Sequence, residues 1–150
     1  DYLASYIYGE TMDKEAYILD VVFTKEPMEV TEPLLARKLT DNEVNLCWIE
    51  SNNGGRGFAR NVERLMRDNG SNYTTVKWFY QSRNKQARIL TNATWLMEHV
   101  YFPDGWRNRW PELHQNLMAY QREGKNAHDD AQDALTGIAE KITANLGWLV

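Results

Sequence analysis

The length, composition and charge of the chain exclude several classes of protein before any motif is considered. The sequence has 150 residues, 43% of them hydrophobic and 25% charged, which suits one compact domain and excludes a disordered chain. No apolar run approaches the roughly 20 residues that cross a bilayer. A net charge of −4 argues against a uniformly basic surface for nucleic acid, although local basic patches can coexist with it. The single cysteine, Cys47, cannot form an internal disulfide, which favours a reducing, intracellular setting.

The first half of the sequence predicts two strands, a helix and a third strand. Residues 3–8 and 16–23 are rich in β-branched and aromatic side chains and predict a β-hairpin. A helix follows, with Thr31 as its N-cap and Pro33 in its first turn. The apolar run over residues 44–50 is typical of a central strand that is buried on both faces.

The second half of the sequence continues the alternation of helices and strands. Apolar spacing predicts an amphipathic helix over residues 56–68, a strand over 74–80 and a helix over 85–97. Further elements are expected at residues 100–102 (strand), 110–123 (helix) and 129–146 (helix). Because neither a repeat nor a linker divides the sequence, we expect a single α/β domain over residues 1–150, with helices flanking a mixed sheet.

Glu50 is the first candidate functional residue. It ends a predicted strand, and open α/β sheets place their ligands at the carboxyl ends of strands. Such a carboxylate needs a cation, a hydrogen-bond donor or a raised pKa if it is buried, whereas an exposed strand-end acid needs none of these. Gly54 and Gly55 follow it and predict a tight turn into the next helix. This loop lacks the Gly-Lys-Ser/Thr of a phosphate-binding loop.

Three aspartates at the start of the last predicted helix form the second candidate. Asp129, Asp130 and Asp133 can accept helix N–H groups and complement the helix dipole, each contributing about 0.3–1 kcal/mol. Adjacent aspartates also repel one another, and a divalent cation would remove that repulsion. Carboxylate oxygens suit Mg²⁺ or Mn²⁺ better than zinc. Both interpretations stay open on the sequence.

Two rows of basic residues follow Glu50 in the chain. Arg56, Arg60 and Arg64 stand four residues apart, on one face of the predicted helix. Such rows either bind a phosphate backbone without reading its sequence or form an ordinary solvated face. The second row comprises Lys77, Arg83, Lys85 and Arg88.

Two motifs about 80 residues apart resemble the nuclease domain of phage terminase large subunits. The first is WIESNNGG over residues 48–55, and the second is GKNAHDDAQDAL over residues 124–135. The run NKQARIL over residues 84–90 and the opening Asp1-Tyr2 also resemble the phage group. The resemblance therefore covers nearly the whole chain.

This resemblance implies a ribonuclease H-like fold and an enzyme that cuts concatemeric double-stranded DNA with two Mg²⁺ or Mn²⁺ ions. It implies that Glu50 and Asp130 are metal ligands, that Asp129 is a co-ligand or orienting partner, and that Asp133 stabilises its helix. The candidate contacts to the DNA backbone are Arg56, Arg60, Arg83, Lys85 and Arg88. The implied partners are the terminase small subunit and the portal protein, in the cytoplasm of a bacterial host and without a membrane.

The sequence departs from the family in one respect. Family members carry a principal metal-binding aspartate on a leading strand ahead of the Asp-Tyr pair, and this sequence begins at that pair. Asp1 therefore matches an auxiliary acid of the metal site. We expect a sheet without its first strand, weak metal binding and poor cleavage, and no ATPase domain, because the sequence contains no P-loop.

Two other functions stay open on the sequence alone. One is a non-catalytic module that docks on DNA or on a portal-like partner. The other is a different ribonuclease H-like nuclease, such as a resolvase or an integrase, because one fold hosts many activities.

Overall fold

The structure, a computed structural model, describes residues 2–120, 126 and 128–146. Contacts divide the chain into two compact units, which are described in turn: Asp1–Lys25 with Arg83–Val150, and Glu26–Ser82. The chain is a mixed α/β protein with a mixed sheet flanked by helices, as predicted. Within the described part of the chain, none of the helices is long and apolar enough to cross a bilayer.

Five strands and six α-helices occur along the described residues. In chain order they are β1 (Leu3–Glu10), β2 (Ala16–Thr24), α1 (Met28–Asp41), β3 (Leu46–Glu50), α2 (Gly55–Asp68), β4 (Thr75–Phe79), α3 (Lys85–His99), β5 (Val100–Tyr101), α4 (Trp106–Arg109), α5 (Pro111–Ala119) and α6 (Asp130–Leu146).

A three-stranded sheet, in the order β1-β2-β5, organises the first unit. The predicted hairpin is confirmed: β1 and β2 are antiparallel, with Leu3 opposite Thr24. β5 runs parallel to β2, which makes the sheet mixed. Residues alternate along β2, with Ile18 buried and Leu19 exposed, because successive side chains of a strand point to opposite faces.

The buried face of β2 packs against α5 and α6. Burying each large aliphatic side chain stabilises the fold by about 1.5–3 kcal/mol. Tyr6 of β1 also donates a hydrogen bond of 2.9 Å to the carbonyl of Ala131, which holds the start of α6 against the sheet. The buried residues of this core are Ala16, Ile18, Val21, Leu113, Ala131, Ile138 and Ile142.

The second unit contains β3 and β4, which are parallel, and α1 and α2, which pack on each other. The predicted amphipathic character of α2 is confirmed, because Phe58, Val62 and Met66 are buried along one of its faces. α2 also packs on both strands. In the parallel register Glu50 lies beside Phe79, at the carboxyl ends of the two strands.

The start of α1 differs from the prediction. The helix begins at Met28, so Thr31 is a buried residue within it and not the N-cap. Pro27 precedes the first turn with φ −71° and its carbonyl accepts from the Thr31 N–H at 3.0 Å. Pro has its φ fixed near this value, which favours a helix start one residue later. Pro33 consequently lies inside the helix, beyond its first turn.

Two further predictions about elements are wrong in detail. β3 is not buried on both faces, because Leu46 is 45% and Trp48 is 38% exposed. These two side chains alternate with those that face α2, and among the described strands β3 has only β4 as a neighbour. The helix expected over residues 110–123 is α5, which begins at Pro111 and ends at Ala119, and the short helix α4 that precedes it was not predicted. Residues 121–123 lie outside the described ones.

Candidate active site

Glu50 ends β3, and the loop after it is tied to the end of β4. The Ser51 N–H donates to the carbonyl of Phe79 at 2.7 Å, and the Ser51 hydroxyl donates to the same oxygen at 2.9 Å. The Asn52 side chain exchanges two hydrogen bonds with the backbone of Gln81, of 2.9 and 3.0 Å. These contacts fix the backbone on which the half-buried Glu50 stands.

The glycine turn after Glu50 is confirmed, and its geometry requires glycine at two positions. Gly54 has φ +88°, in the left-handed region that glycine adopts without strain. A Cβ on Gly55 would lie 1.7 Å from the Glu50 carbonyl oxygen, which no side chain permits. The backbone therefore passes very close to the end of β3 as α2 begins.

The three aspartates at the start of α6 share one ammonium group. The Lys85 Nζ atom lies 3.3 Å from Asp129 Oδ1, 3.7 Å from Asp130 Oδ1 and 3.7 Å from Asp133 Oδ2. Lys85 is the first residue of α3, where the helix dipole disfavours a positive charge. Its three carboxylate neighbours offset that cost, and the ammonium in turn compensates part of the negative charge of this cluster.

Opposing effects act on the pKa of Lys85. Partial burial lowers it, but attraction by Asp133 and Asp129, the hydrogen bond to Asp129 and the attraction of Asp130 together raise it above its usual value. Lys85 therefore stays charged throughout the neutral range. Its side chain is 42% exposed, so water screens each of these ion pairs and the site remains accessible to other cations.

Asp130 is also held by the amino-terminal end of β1. The Tyr2 N–H donates to Asp130 Oδ2 at 2.9 Å. The Tyr2 ring stacks on Phe23 with the ring centres 4.2 Å apart, and its hydroxyl donates to Glu112. Asp1, the predicted auxiliary acid, lies outside the described residues.

Arg88 was expected at a DNA interface, but its side chain is only 6% exposed. Its Nη1 atom donates to Asp133 Oδ1 at 2.6 Å, and its Nε and Nη2 atoms donate to the Glu140 carboxylate. The hydrogen bonds to Glu140, opposed by burial and reinforced by Asp133, raise the pKa of Arg88. We therefore assign Arg88 to the pairing of α3 with α6, where it also holds Asp133.

The other basic candidates are placed differently. Arg56 and Arg60 are exposed on α2, and their guanidinium carbons lie 5.4 and 5.7 Å from the centre of the Trp78 ring. Arg83 is exposed just ahead of α3, and Lys85 is engaged by the aspartates. Trp78 was not singled out from the sequence. The sequence pattern that could have indicated Trp78 is the run Lys77-Trp78-Phe79-Tyr80, in which aromatic residues follow a basic one.

The structure thus brings Asp129, Asp130 and Lys85 together in the first unit, whereas Glu50 belongs to the second. The carboxylate oxygens of the two aspartates are donors that Mg²⁺ and Mn²⁺ accept, and the Lys85 ammonium marks a place where a positive charge is stabilised. Over residues 2–120, 126 and 128–146, however, no group of three or more His, Cys, Asp or Glu side chains is arranged to hold a metal ion.

Comparisons of the chain with protein-family models, with curated proteins and with solved structures found no match.

Proposed function

We propose that the chain is the nuclease part of a phage terminase large subunit, which cuts concatemeric double-stranded DNA in a metal-dependent reaction. In this proposal it acts in the cytoplasm of the bacterial host together with the terminase small subunit and the portal protein. The resemblance of the two motifs, at residues 48–55 and 124–135, supplies the family.

The observation that carries the proposal is the set of carboxylates around Lys85. Three aspartates lie within 3.7 Å of one ammonium group, so the fold holds negative charges together that would otherwise repel one another. Two of them, Asp129 and Asp130, retain side-chain exposures of 33% and 22%. A phosphodiester substrate with its bound cations could therefore reach them.

In the proposed site Glu50 and Asp130 are metal ligands and Asp129 is a co-ligand or orienting residue, with Asp1 as an auxiliary acid. Bound Mg²⁺ or Mn²⁺ would lower the pKa of a water molecule and neutralise charge on the cleaved phosphate. The Tyr2 N–H donates one hydrogen bond to the Asp130 carboxylate and so orients it. Arg56, Arg60 and Arg83 would contact the DNA backbone, which gives affinity without sequence readout.

A ribonuclease H-like fold is part of the same proposal. Among the described residues, β1 pairs only with β2, and β3 pairs only with β4. Each of the two strands therefore has one edge without a strand partner, and a free edge can accept an added strand. The leading strand that the resemblance implies would need such an edge.

The test is Mn²⁺-dependent nicking of supercoiled plasmid by a version of the chain extended to include the leading strand. We expect Glu50→Gln and Asp130→Asn each to lower the rate by at least a hundredfold, because each removes a ligand that also acts in the transition state. Glu98→Gln, which changes an exposed acid outside the site, should leave the rate unchanged. Unchanged nicking in both site variants would exclude the proposed active site.

A second candidate function, a non-catalytic module that docks on DNA, is favoured by a different observation. Lys85 already compensates part of the charge of the aspartates, and no metal-holding group of three side chains occurs among the described residues. DNA binding with no Mn²⁺-dependent nicking, even by the extended chain, would support this function over the nuclease.

A further inference from the structure

We propose that Arg56, Arg60 and Trp78 form a clamp for successive phosphates on a single strand of nucleic acid, called here the α2 clamp. Arg56 and Arg60 would bind the phosphates, and Trp78 would act as the positioning residue that holds the two guanidinium groups. The inference rests on the proposed function only for the class of ligand, and it requires neither a metal ion nor cleavage.

The geometry of the α2 clamp is that of a double cation–π contact. Both guanidinium carbons lie within about 6 Å of the Trp78 ring centre, the range in which such contacts are attractive. Trp78 stands on β4 and is 37% exposed, and both arginines are exposed. The rigid strand thus presents one aromatic surface to two side chains on consecutive turns of α2.

The charges of the α2 clamp have no acidic counterpart. Among the described residues, neither Arg56 nor Arg60 lies within ion-pair distance of a carboxylate, although the chain as a whole carries a net charge of −4. An indole attracts a guanidinium without neutralising it. A guanidinium beside an aromatic ring keeps its N–H donors, which can bind a phosphate in a bidentate manner.

The spacing of the two arginines favours a polymer over a single phosphate. Residues four apart on a helix are separated by about 6 Å along its axis, which is close to the separation of adjacent phosphates on one nucleic-acid strand. Arg64 lies one turn further along the same face and is not part of the clamp. Neither an aromatic ring nor an acid contacts Arg64 among the described residues, so Arg64 is a matched control for Arg60.

The experiment measures binding of fluorescein-labelled oligothymidylate to the full chain by fluorescence anisotropy, in EDTA and over a series of salt concentrations. Each phosphate contact on a single strand contributes about 0.7 to the slope of log K against log salt concentration. We expect the pair R56Q and R60Q, made together, to reduce that slope by about 1.4, and R60Q to reduce affinity more than R64Q does. Equal effects of R60Q and R64Q, or no effect of either, would overturn the clamp.

The role of Trp78 is tested by two substitutions at one position. W78L should weaken oligothymidylate binding several-fold, whereas W78F should restore most of the affinity, because phenylalanine retains an aromatic face. A melting curve for each variant reports whether it is folded. If W78L is unfolded, the measurement is the change in indole emission on adding oligothymidylate to wild type and to W78F. A difference in that change supports the contact, and identical changes overturn it.

These results separate the clamp from the nuclease. If the clamp is correct and the nuclease proposal is wrong, oligothymidylate binding in EDTA still depends on Arg56, Arg60 and Trp78, while nicking is absent. If the nuclease is correct and the clamp is wrong, Mn²⁺-dependent nicking depends on Glu50 and Asp130, and the clamp variants bind oligothymidylate like wild type.

Discussion

The aspartate cluster at the start of α6 and the arginine row on α2 differ in whether their cationic side chains are paired with acids. In the first, every cation has acidic partners: Lys85 contacts three aspartates, and Arg88 contacts Asp133 and Glu140. In the second, the guanidinium groups of Arg56 and Arg60 lie over an indole ring, and among the described residues neither forms an ion pair with a carboxylate. Paired charges stabilise the fold around them, whereas unpaired and exposed charges remain available to a ligand.

Burial explains the difference between these two regions. Arg88 is 6% exposed, and a charge that is removed from water must be paired and hydrogen-bonded. Arg56 and Arg60 are exposed, so water satisfies them and pairing is not required. A difference in burial between arginines of similar sequence surroundings therefore separates a structural role from a binding role.

The largest expected effect that tests this contrast is on stability. Arg88→Met removes the guanidinium that pairs with Asp133 and Glu140 and should lower the free energy of unfolding by about 3 kcal/mol. Arg60→Met, the matched change in the other region, should alter it by less than about 0.5 kcal/mol. Urea denaturation of both variants measures these values. A similar loss for the two would show that the arginines do not differ in the way described.

The next effect concerns the loop that positions Glu50 and the start of α2. Gly55→Ala should destabilise the chain by about 2–3 kcal/mol, because its Cβ would collide with the Glu50 carbonyl. Gly57→Ala is the control, since nothing lies within 4 Å of a Cβ there. That change should stabilise α2 by about 0.5–1 kcal/mol. We expect the melting temperature to fall for Gly55→Ala and to rise for Gly57→Ala. A melting temperature of Gly55→Ala equal to that of wild type would argue against the close approach.

The smallest effect concerns competition for the aspartates. Lys85→Met removes the ammonium that lies beside Asp129 and Asp130, so a divalent cation would no longer have to displace it. We expect Mn²⁺ to bind several-fold more tightly, which corresponds to about 1 kcal/mol, the scale of an exposed ion pair. Calorimetric titration of wild type and variant measures the change, with Lys77→Met as the control. Weaker Mn²⁺ binding in Lys85→Met would show that the ammonium supports the site.

Local patterns in the sequence predicted much of the fold. The hairpin of β1 and β2 and the amphipathic α2 follow from side-chain periodicity over short windows, and both are confirmed. The start of α1 was missed because Pro27 and Thr31 are both credible helix starts, and the sequence does not rank them. The exposure of Trp48 was missed because it depends on how many strands flank β3.

The site was less predictable, because its contacts join distant parts of the chain. Arg88 is paired with acids 45 and 52 residues away, and no local pattern distinguishes it from an exposed arginine. Trp78 meets Arg56 and Arg60 only because α2 lies on the strand that carries it. The clustering of Asp129 and Asp130 was visible in the sequence, but their shared contact with Lys85 was not.

Binding of Mn²⁺ tests most directly whether Glu50 and Asp130 are metal ligands, as proposed. Free Mn²⁺ can be followed by electron paramagnetic resonance during titration of wild type, Glu50→Gln, Asp130→Asn and the control Glu98→Gln. We predict that the two site variants each bind Mn²⁺ at least about tenfold more weakly than wild type, as loss of a metal-site residue typically causes, and that the control binds like wild type. Equal affinity in all four proteins would contradict the proposed metal site.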